Sequence, residues 1–543
     1  MKVKYILSAM MVAAAIPVAA QETYENANLV TEDLNGTARY VGMGGAMEAL
    51  GADLSTIGTN PAGVGLFRHS QANITGSLLM KGDVPSGSFD NKARTSLDQI
   101  GFVYSMKTKH NSYLNLAFNY HKTRNFNSLL SASGDLGGQA SQNALSFIKA
   151  LGGDNDAGET TFNIEDNEHW GLMGTSYYTS QLDNLYYNNF IVDDKGVPGY
   201  NFANGYLLNR EQRGYVGSYD FNISGSINNR VFLGITFGIK AVHYKSYSEY
   251  SEQLVNIDNS VIGDVTVMDM RAISGTGFDI KAGVIIRPIE DSPFRIGAYV
   301  HTPTWYDLTT ENITAIDNGT DIKGYNKGWF TGEAYDFKLY TPWKFGLSLG
   351  HTVGNYLALG ATYEYSDYQD LETRVNDGGV YDYYYDDWYD KSTPDRPMNR
   401  HTKETLKGVS TVKLGAEYKP IPTLAMRIGY NYVSPMYDKN GFKDGSIDSY
   451  GSNYATMTDY TNWKGTNRLT LGLGYTVDKV SIDLAYQYTT QKGDFYPFMN
   501  SWADYHYIDD AGIVQTEQID NYATKTEVKD SRHQLLLTLG YHF

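Results

Sequence analysis

From residue 71 onward, large apolar side chains alternate with glycine, small polar groups and charges. In "VFLGITFGIKAV", Val231, Leu233, Ile235, Phe237 and Ile239 share one face, and Gly234, Thr236, Gly238 and Lys240 the other. "LAMRIGYNYV" sets Leu424, Met426, Ile428, Tyr430 and Tyr432 against Arg427, Gly429 and Asn431. "TNRLTLGLGYTV" sets Leu469, Leu471, Leu473 and Tyr475 against Arg468, Thr470, Gly472 and Gly474. A period of two is the signature of a strand with two different faces. The pattern predicts 14 strands, near 71–81, 98–107, 112–121, 215–228, 231–245, 275–287, 293–311, 333–351, 355–367, 407–418, 423–434, 465–476, 479–490 and 531–543.

The connections alternate in length. "TKHN", Asn229-Arg230, "PIEDS", "TVGN", "KPIP" and Val477-Asp478 are short, and the intervening connections are long (122–214, 248–274, 312–332, 368–406, 435–464 and 491–530). Short turns on one rim and long loops on the other mark a barrel of the bacterial outer membrane, short rim toward the periplasm. The expected fold is all-β: a 14-stranded antiparallel transmembrane barrel over 71–543. Glycine weakens a strand unless something approaches closely, so the Gly-rich polar face points to a crowded lumen. The chain ends "LLLTLGYHF", with Leu535, Leu537, Leu539, Tyr541 and Phe543 on one face. An aromatic end of this kind is what the barrel assembly machinery recognises, which makes that machinery and membrane lipid expected partners.

Composition agrees. A mean hydropathy of -0.41 is compatible with a barrel, because only alternate residues face lipid. The 46 Tyr suit aromatic girdles, and with no Cys the fold is held by packing and sheet closure. A net charge of -17 argues against a nucleic-acid partner. At the N-terminus, Lys2 and Lys4 precede a short apolar stretch and Val18-Ala19-Ala20, the form of a secretory leader over 1–20.

Residues 42–65, "GMGGAMEALGADLSTIGTNPAGVG", resemble the N-terminal hatch of the FadL/TodX family of outer-membrane transporters for hydrophobic compounds. The resemblance lies in the Gly/Ala-rich run followed by Asp53, Ser55 and Asn60-Pro61-Ala62-Gly63. "TPWKFGLSLG" (341–350) and "YLALGATYEYSDY" (356–368) resemble later strands of that family. The resemblance implies a hatch over 21–70 that plugs a 14-stranded barrel. It further implies passive uptake: capture in a groove among the long loops, a tighter lumen site, a shift of the plug, and lateral exit into the bilayer. On this reading the ligand is a hydrophobic or amphipathic small molecule such as a long-chain fatty acid. No cofactor, metal or enzymatic activity is expected, and the location is the outer membrane of a Gram-negative bacterium. An open lumen of this width would leak, which gives the plug a physical purpose.

Alternation points Asp220, Lys240, Asp279, Lys281, Arg295, Lys344, Glu364, Lys413, Glu417, Arg427, Arg468 and Asp483 into the lumen. Opposite signs intermingle, so pairing across strands is expected. The cations Lys240, Lys281, Arg295, Lys344, Lys413, Arg427 and Arg468 are also the candidate partners for a ligand carboxylate.

Two strings imitate enzyme motifs. "GLSLG" (346–350) matches a nucleophile elbow, but Ser348 falls mid-strand where the motif needs a strand-to-helix turn. "GMGG" lacks the strand–loop–helix setting of a dinucleotide site. "DNDAG" (154–158) and "DKNGFKDG" (438–445) do not complete a calcium loop and read as polar turns. The loop string "YDYYYDDWYD" carries Asp382, Asp386, Asp387 and Asp390 around Trp388, either a solvated loop or a catch for an amphiphile or cation. "QNALSFIKAL" predicts a short helix with Ala144, Leu145, Phe147, Ile148 and Leu151 on its apolar side. Two alternatives to uptake remain at this stage. One is a haem or iron-compound receptor using loop His169, His401 and His506, and the other is a surface adhesin without transport.

Overall fold

The computed structural model describes residues 22–82, 93–109, 111–162, 179–192, 198–323, 330–382, 384, 387–447, 449 and 456–543. The leader 1–20, His169 and Asp386 lie outside them.

Fourteen antiparallel strands close into one barrel. β1 is Gln71–Lys81, β2 Ala93–Lys109, and β3 Ser112–Asn125 continued by Ser128–Ala140. β4 is Phe202–Ile227, β5 Val231–Val255 and β6 Val261–Ile286. β7 is Arg295–His301 with Trp305–Thr320, β8 Phe330–Tyr340 with Lys344–Val353, and β9 Leu357–Asp367 with Glu372–Asp382. β10 is Gly408–Ile421, β11 Leu424–Val433, β12 Tyr460–Val477, β13 Val480–Tyr496 and β14 Thr526–His542. Closure is between β1 and β14, from Gln71↔His542 to Lys81↔Arg532, so the ring has no free edge.

The alternation assigns the faces correctly. Leu471 is 49% exposed while its neighbour Thr470 is fully buried. Phe237, Ile428, Leu484 and Leu537 form the same outward apolar band, the lipid-facing belt of a barrel in a Gram-negative outer membrane. On the short rim, Asn228 and Asn229, between Ile227 and Val231, and Asp478, between Val477 and Val480, take φ of 50°, 56° and 50°, the left-handed geometry common in tight hairpin turns.

The strands run further outward than their pattern indicates. The stretch 248–274, expected as a loop, is nearly all strand: β5 and β6 stay paired from Val231↔Ile286 to Val255↔Val261. Above the membrane the outward face no longer needs to be apolar, so period two fades while the hydrogen bonding continues. The stretch 122–214 likewise holds Ser128–Ala140, two helices and the start of β4.

Those helices, α3 (Gln142–Ala150) and α4 (Gln181–Tyr186), roof the extracellular end. Ser141 caps α3, its hydroxyl oxygen accepting from the Ala144 N–H at 2.8 Å. Leu145, Phe147 and Ile148 pack with Leu182, Tyr186, Phe498 and Ile519 into a core that continues onto the barrel wall at Tyr206, Tyr250, Val267 and Phe495.

Three adjacent strands are interrupted at one level. β7 breaks at Thr302-Pro303-Thr304, β8 at Thr341-Pro342-Trp343, and β9 at Tyr368-Gln369-Asp370. Pairing stops at His301↔Lys344 and resumes at Trp305↔Tyr340. Pro303 and Pro342 have no N–H to offer the ladder. One backbone bond, Thr341 N–H to Thr304 O at 3.1 Å, spans this seam.

Candidate functional site: plug, lumen cations and cavity

Residues 22–70 fill the lumen. Low in the barrel, α2 (Ala38–Gly42) and two 3₁₀ turns, Leu54–Gly58 and Pro61–Leu66, make a compact knot. Asp53 organises it. Its carboxylate accepts from Thr37 Oγ1 at 2.9 Å and from the Ser55 N–H at 2.9 Å, and Ser55 Oγ accepts from the Thr37 N–H at 2.8 Å. Asn60 starts the second turn: Oδ1 accepts from the Ala62 N–H at 3.2 Å, and Nδ2 donates to Glu48 O at 3.1 Å. Pro61 follows at the first helical position, where its missing N–H costs nothing. Gly63 O accepts from the Ala52 N–H, and a Cβ there would meet the Thr56 side chain.

The lumen glycines mark where this knot touches the wall. A Cβ on Gly429 would run into the backbone of Gly44, and one on Gly234 into that of Pro61. The glycine-rich strand faces are thus the seat of the plug.

All seven sequence-derived cations face inward, and each has a partner. Arg427 pairs with Glu417 (2.7 Å) and Asp483 (2.6 Å). Lys281 pairs with Asp220 (2.8 Å) and Asp279 (3.0 Å), and Lys240 with Asp279 (3.2 Å). Lys413 holds Glu48 of the plug at 2.9 Å and Glu364 of the wall at 3.2 Å. Arg295 donates to Leu50 O at 2.7 Å, and Arg468 to Asn431 Oδ1 at 2.8 Å and Glu32 O at 3.2 Å. Lys344 pairs with the Glu32 carboxylate, as does Lys240 at 3.6 Å. Five of the seven, Lys240, Arg295, Lys344, Lys413 and Arg468, therefore hold the plug directly.

Sequence reasoning missed the plug's own acids and several wall cations. Asp33 binds Arg532 (2.9 Å) and Arg124 (3.4 Å). Arg532 was findable: it shares the inward parity of Gln534 and Leu536. Arg124 lies beyond the strand end that the alternation marks. Burial alone would raise both plug carboxyls. Lys344 and Lys240 nevertheless hold Glu32 well below the usual range, and Arg532, Arg124 and Arg468 do the same for Asp33.

Above the knot, α1 (Thr23–Val30) stands in the upper lumen. Tyr24 stacks on Tyr437 with centroids 5.1 Å apart and donates to Asn462 Oδ1 at 2.8 Å. Thr23 Oγ1 lies 3.0 Å from both His401 Nδ1 and Thr402 Oγ1 of α5 (Arg396–Thr405). Between α1, residues 31–35 and the wall is a cavity of about 320 Å³. Leu29, Ile273, Val409, Met436 and Trp463 give it apolar walls, and Glu32, Asp33, Arg124, Lys240, Lys344 and Arg468 a charged side. Arg295 and Arg427 do not line it. A smaller void of about 30 Å³ lies behind Glu32 and reaches Thr304, Thr341 and Pro342 at the seam.

The motifs set aside above remain so. Ser348 is buried mid-strand in β8. Among the described residues no group of three or more potential ligands is placed to hold a metal. His401 is bonded within α5 and to the plug, and His506 to Thr516 in a surface hairpin. Within "DNDAG", Asn155 Oδ1 accepts from the Ala157 and Glu159 N–H groups, a local turn.

No protein-family model matches the chain, and no curated protein does. Several solved structures are similar to it. The toluene transporter TbuX of Ralstonia pickettii is 12% identical over 94% of this chain and 99% of its own, with a TM-score of 0.45. The toluene transporter TodX of Pseudomonas putida is 11% identical over 95% and 99%, also at 0.45. A FadL homologue of Pseudomonas aeruginosa is 12% identical over 98% and 100%, at 0.44. The chain is similar to FadL-type barrels. What it does is argued below from its own plug, cavity and wall.

Proposed function

We propose that this barrel takes up hydrophobic or amphipathic small molecules, long-chain fatty acids among them, passively across the outer membrane. The observation that carries the reading is the cavity shared by plug and wall, with apolar walls from Leu29, Ile273, Val409, Met436 and Trp463 and a side of paired acids and bases, in a lumen otherwise closed by the seated knot. A cavity of that character suits a ligand with a greasy body and a polar head.

The route has four stages. The ligand is captured among the extracellular loops and moves to the cavity. The plug segment carrying Glu32 and Asp33 then shifts. The ligand leaves sideways into the bilayer. Two features support lateral exit at the β7–β8 seam. At that level the ladder is reduced to two bonds between Thr304 and Thr341, and the small void behind Glu32 reaches its inner side. Trp305 and Trp343 are exposed on its outer side, at the depth where aromatic residues favour the lipid interface.

Two measurements test the reading together: lipid extraction and mass spectrometry of detergent-purified protein, and uptake of radiolabelled oleate by cells that do or do not produce it. Co-purification of an amphiphile with protein-dependent uptake is expected. Protein that is folded, ligand-free and without effect on uptake would refute it.

A further inference from the structure

Glu32 differs from every other acid in the lumen network. Its side chain is 41% exposed and faces the cavity, whereas the cations it meets, Lys240 and Lys344, are 8% and 13% exposed. Among the described residues it is the sole ion-pair partner of Lys344, and it shares Lys240 with Asp279. Two wall ammoniums thus converge on one carboxylate that belongs to the plug. Leu29, Val30, Tyr306 and Tyr368 provide apolar surface beside it.

Resting on the uptake reading above, we propose that Glu32 is an internal stand-in for the headgroup of an anionic amphiphile, and that the ligand's carboxylate takes its place on Lys344 and Lys240. The exchange is of like for like. Neither ammonium is left buried without a counter-charge, the state that makes breaking a buried pair costly. The displaced Glu32 already faces the cavity, so little further desolvation accompanies its release. Residues 31–35 lose the Glu32 hold on the wall at this point while Asp33 keeps Arg532 and Arg124, so headgroup recognition removes one of the contacts that seat the plug. A neutral molecule of the same shape fills the apolar part of the cavity but leaves the Glu32 latch closed. The ligand class that opens the barrel is therefore an acid with a long apolar chain.

The test uses full-length protein in detergent, with oleate and oleyl alcohol as probes and tryptophan fluorescence as readout, since Trp463 lines the cavity. Glu32→Gln removes the competing charge while keeping its shape. It is expected to tighten oleate binding about tenfold and to leave oleyl alcohol within about twofold of wild type. Lys344→Gln is expected to weaken oleate by a similar factor and to spare the alcohol. Gel heat-modifiability confirms that each variant is folded, and should one fail to insert, the other decides alone. Oleate binding unchanged or weakened in folded Glu32→Gln, or unchanged in folded Lys344→Gln, overturns the exchange while the uptake reading survives on the alcohol data. Wild-type protein that binds neither probe overturns both.

Discussion

The amide oxygen of Asn60 rests where a Cβ on Gly283 would have to be. One residue belongs to the plug and the other to β6, so a single methyl group decides whether the plug seats. Gly283→Ala should insert normally, since the position lies within a regular strand, but should leave residues 42–65 open to protease from the periplasmic side. Protection equal to wild type would show that the plug does not depend on this contact.

Removing the other side of the contact should act alike. In Asn60→Ala combined with Pro61→Ala, Glu48 O and the Ala62 N–H lose their partner and the fixed φ at position 61 is gone. Lost buried hydrogen bonds cost about 1–3 kcal/mol, enough to populate a displaced plug in an intact barrel. Hydrogen exchange over residues 42–65 should rise by one to two orders of magnitude, with β-strand exchange unchanged.

The plug should loosen in acid. The arginines around Asp33 hold its carboxyl below its ordinary value of 3.8, so its ionised form favours the seated state. That contribution is complete above about pH 4 and is lost as the pH falls through the lowered pKa. Protease protection of residues 22–35 should decline at low pH in wild type. Asp33→Asn should already be loosened at pH 7 and show less further change.

A cation on the lipid face should harm assembly. Leu471→Arg places a charge in the apolar belt at a cost of about 2–4 kcal/mol at the bilayer midplane, so folded yield by gel shift should drop sharply. Thr470→Arg is no neutral control, because Thr470 Oγ1 donates to Gly42 O at 3.2 Å and an arginine there would unseat the plug. It should insert and fail in plug protection, separating the two faces by phenotype.

The seam makes its own prediction. Pro303→Val with Pro342→Val restores two N–H groups and lets β7 and β8 pair continuously. Oleate binding in detergent should persist while cellular uptake falls several-fold. Uptake at the wild-type rate would place the exit elsewhere.

The barrel was legible because lipid imposes its pattern directly: every membrane-level strand had to put Leu, Ile, Phe or Tyr outward at period two. The strand extensions were not, because the outward face of Ser246–Val255 and Val261–Ala272 meets water while their buried inward face mixes Tyr250, Leu254 and Val267 with Ser248, Glu252 and Asp269, which imposes no such alternation. The breaks at Pro303 and Pro342 were hidden inside single long apolar segments, although the missing N–H of each proline was in plain view. At the site, parity placed all seven candidate cations inward, yet it could not show that Lys240, Arg295, Lys344, Lys413 and Arg468 reach a separate segment folded among them. Glu32 and Asp33 have no periodic frame around them. Their importance arises from contacts with residues hundreds of positions away.

The central claim is that ligands pass only when the plug moves, and a reversible tether tests it most directly. The Ala38 N–H donates to Thr538 Oγ1 at 2.7 Å, and the chain has no Cys of its own. In Ala38→Cys with Thr538→Cys, oxidation should fix the plug to β14. Oleate uptake by cells carrying the oxidised protein should fall to the level of cells lacking it, and return on reduction. Equal uptake in the oxidised and reduced states, with the cross-link confirmed by mass spectrometry, would contradict the account.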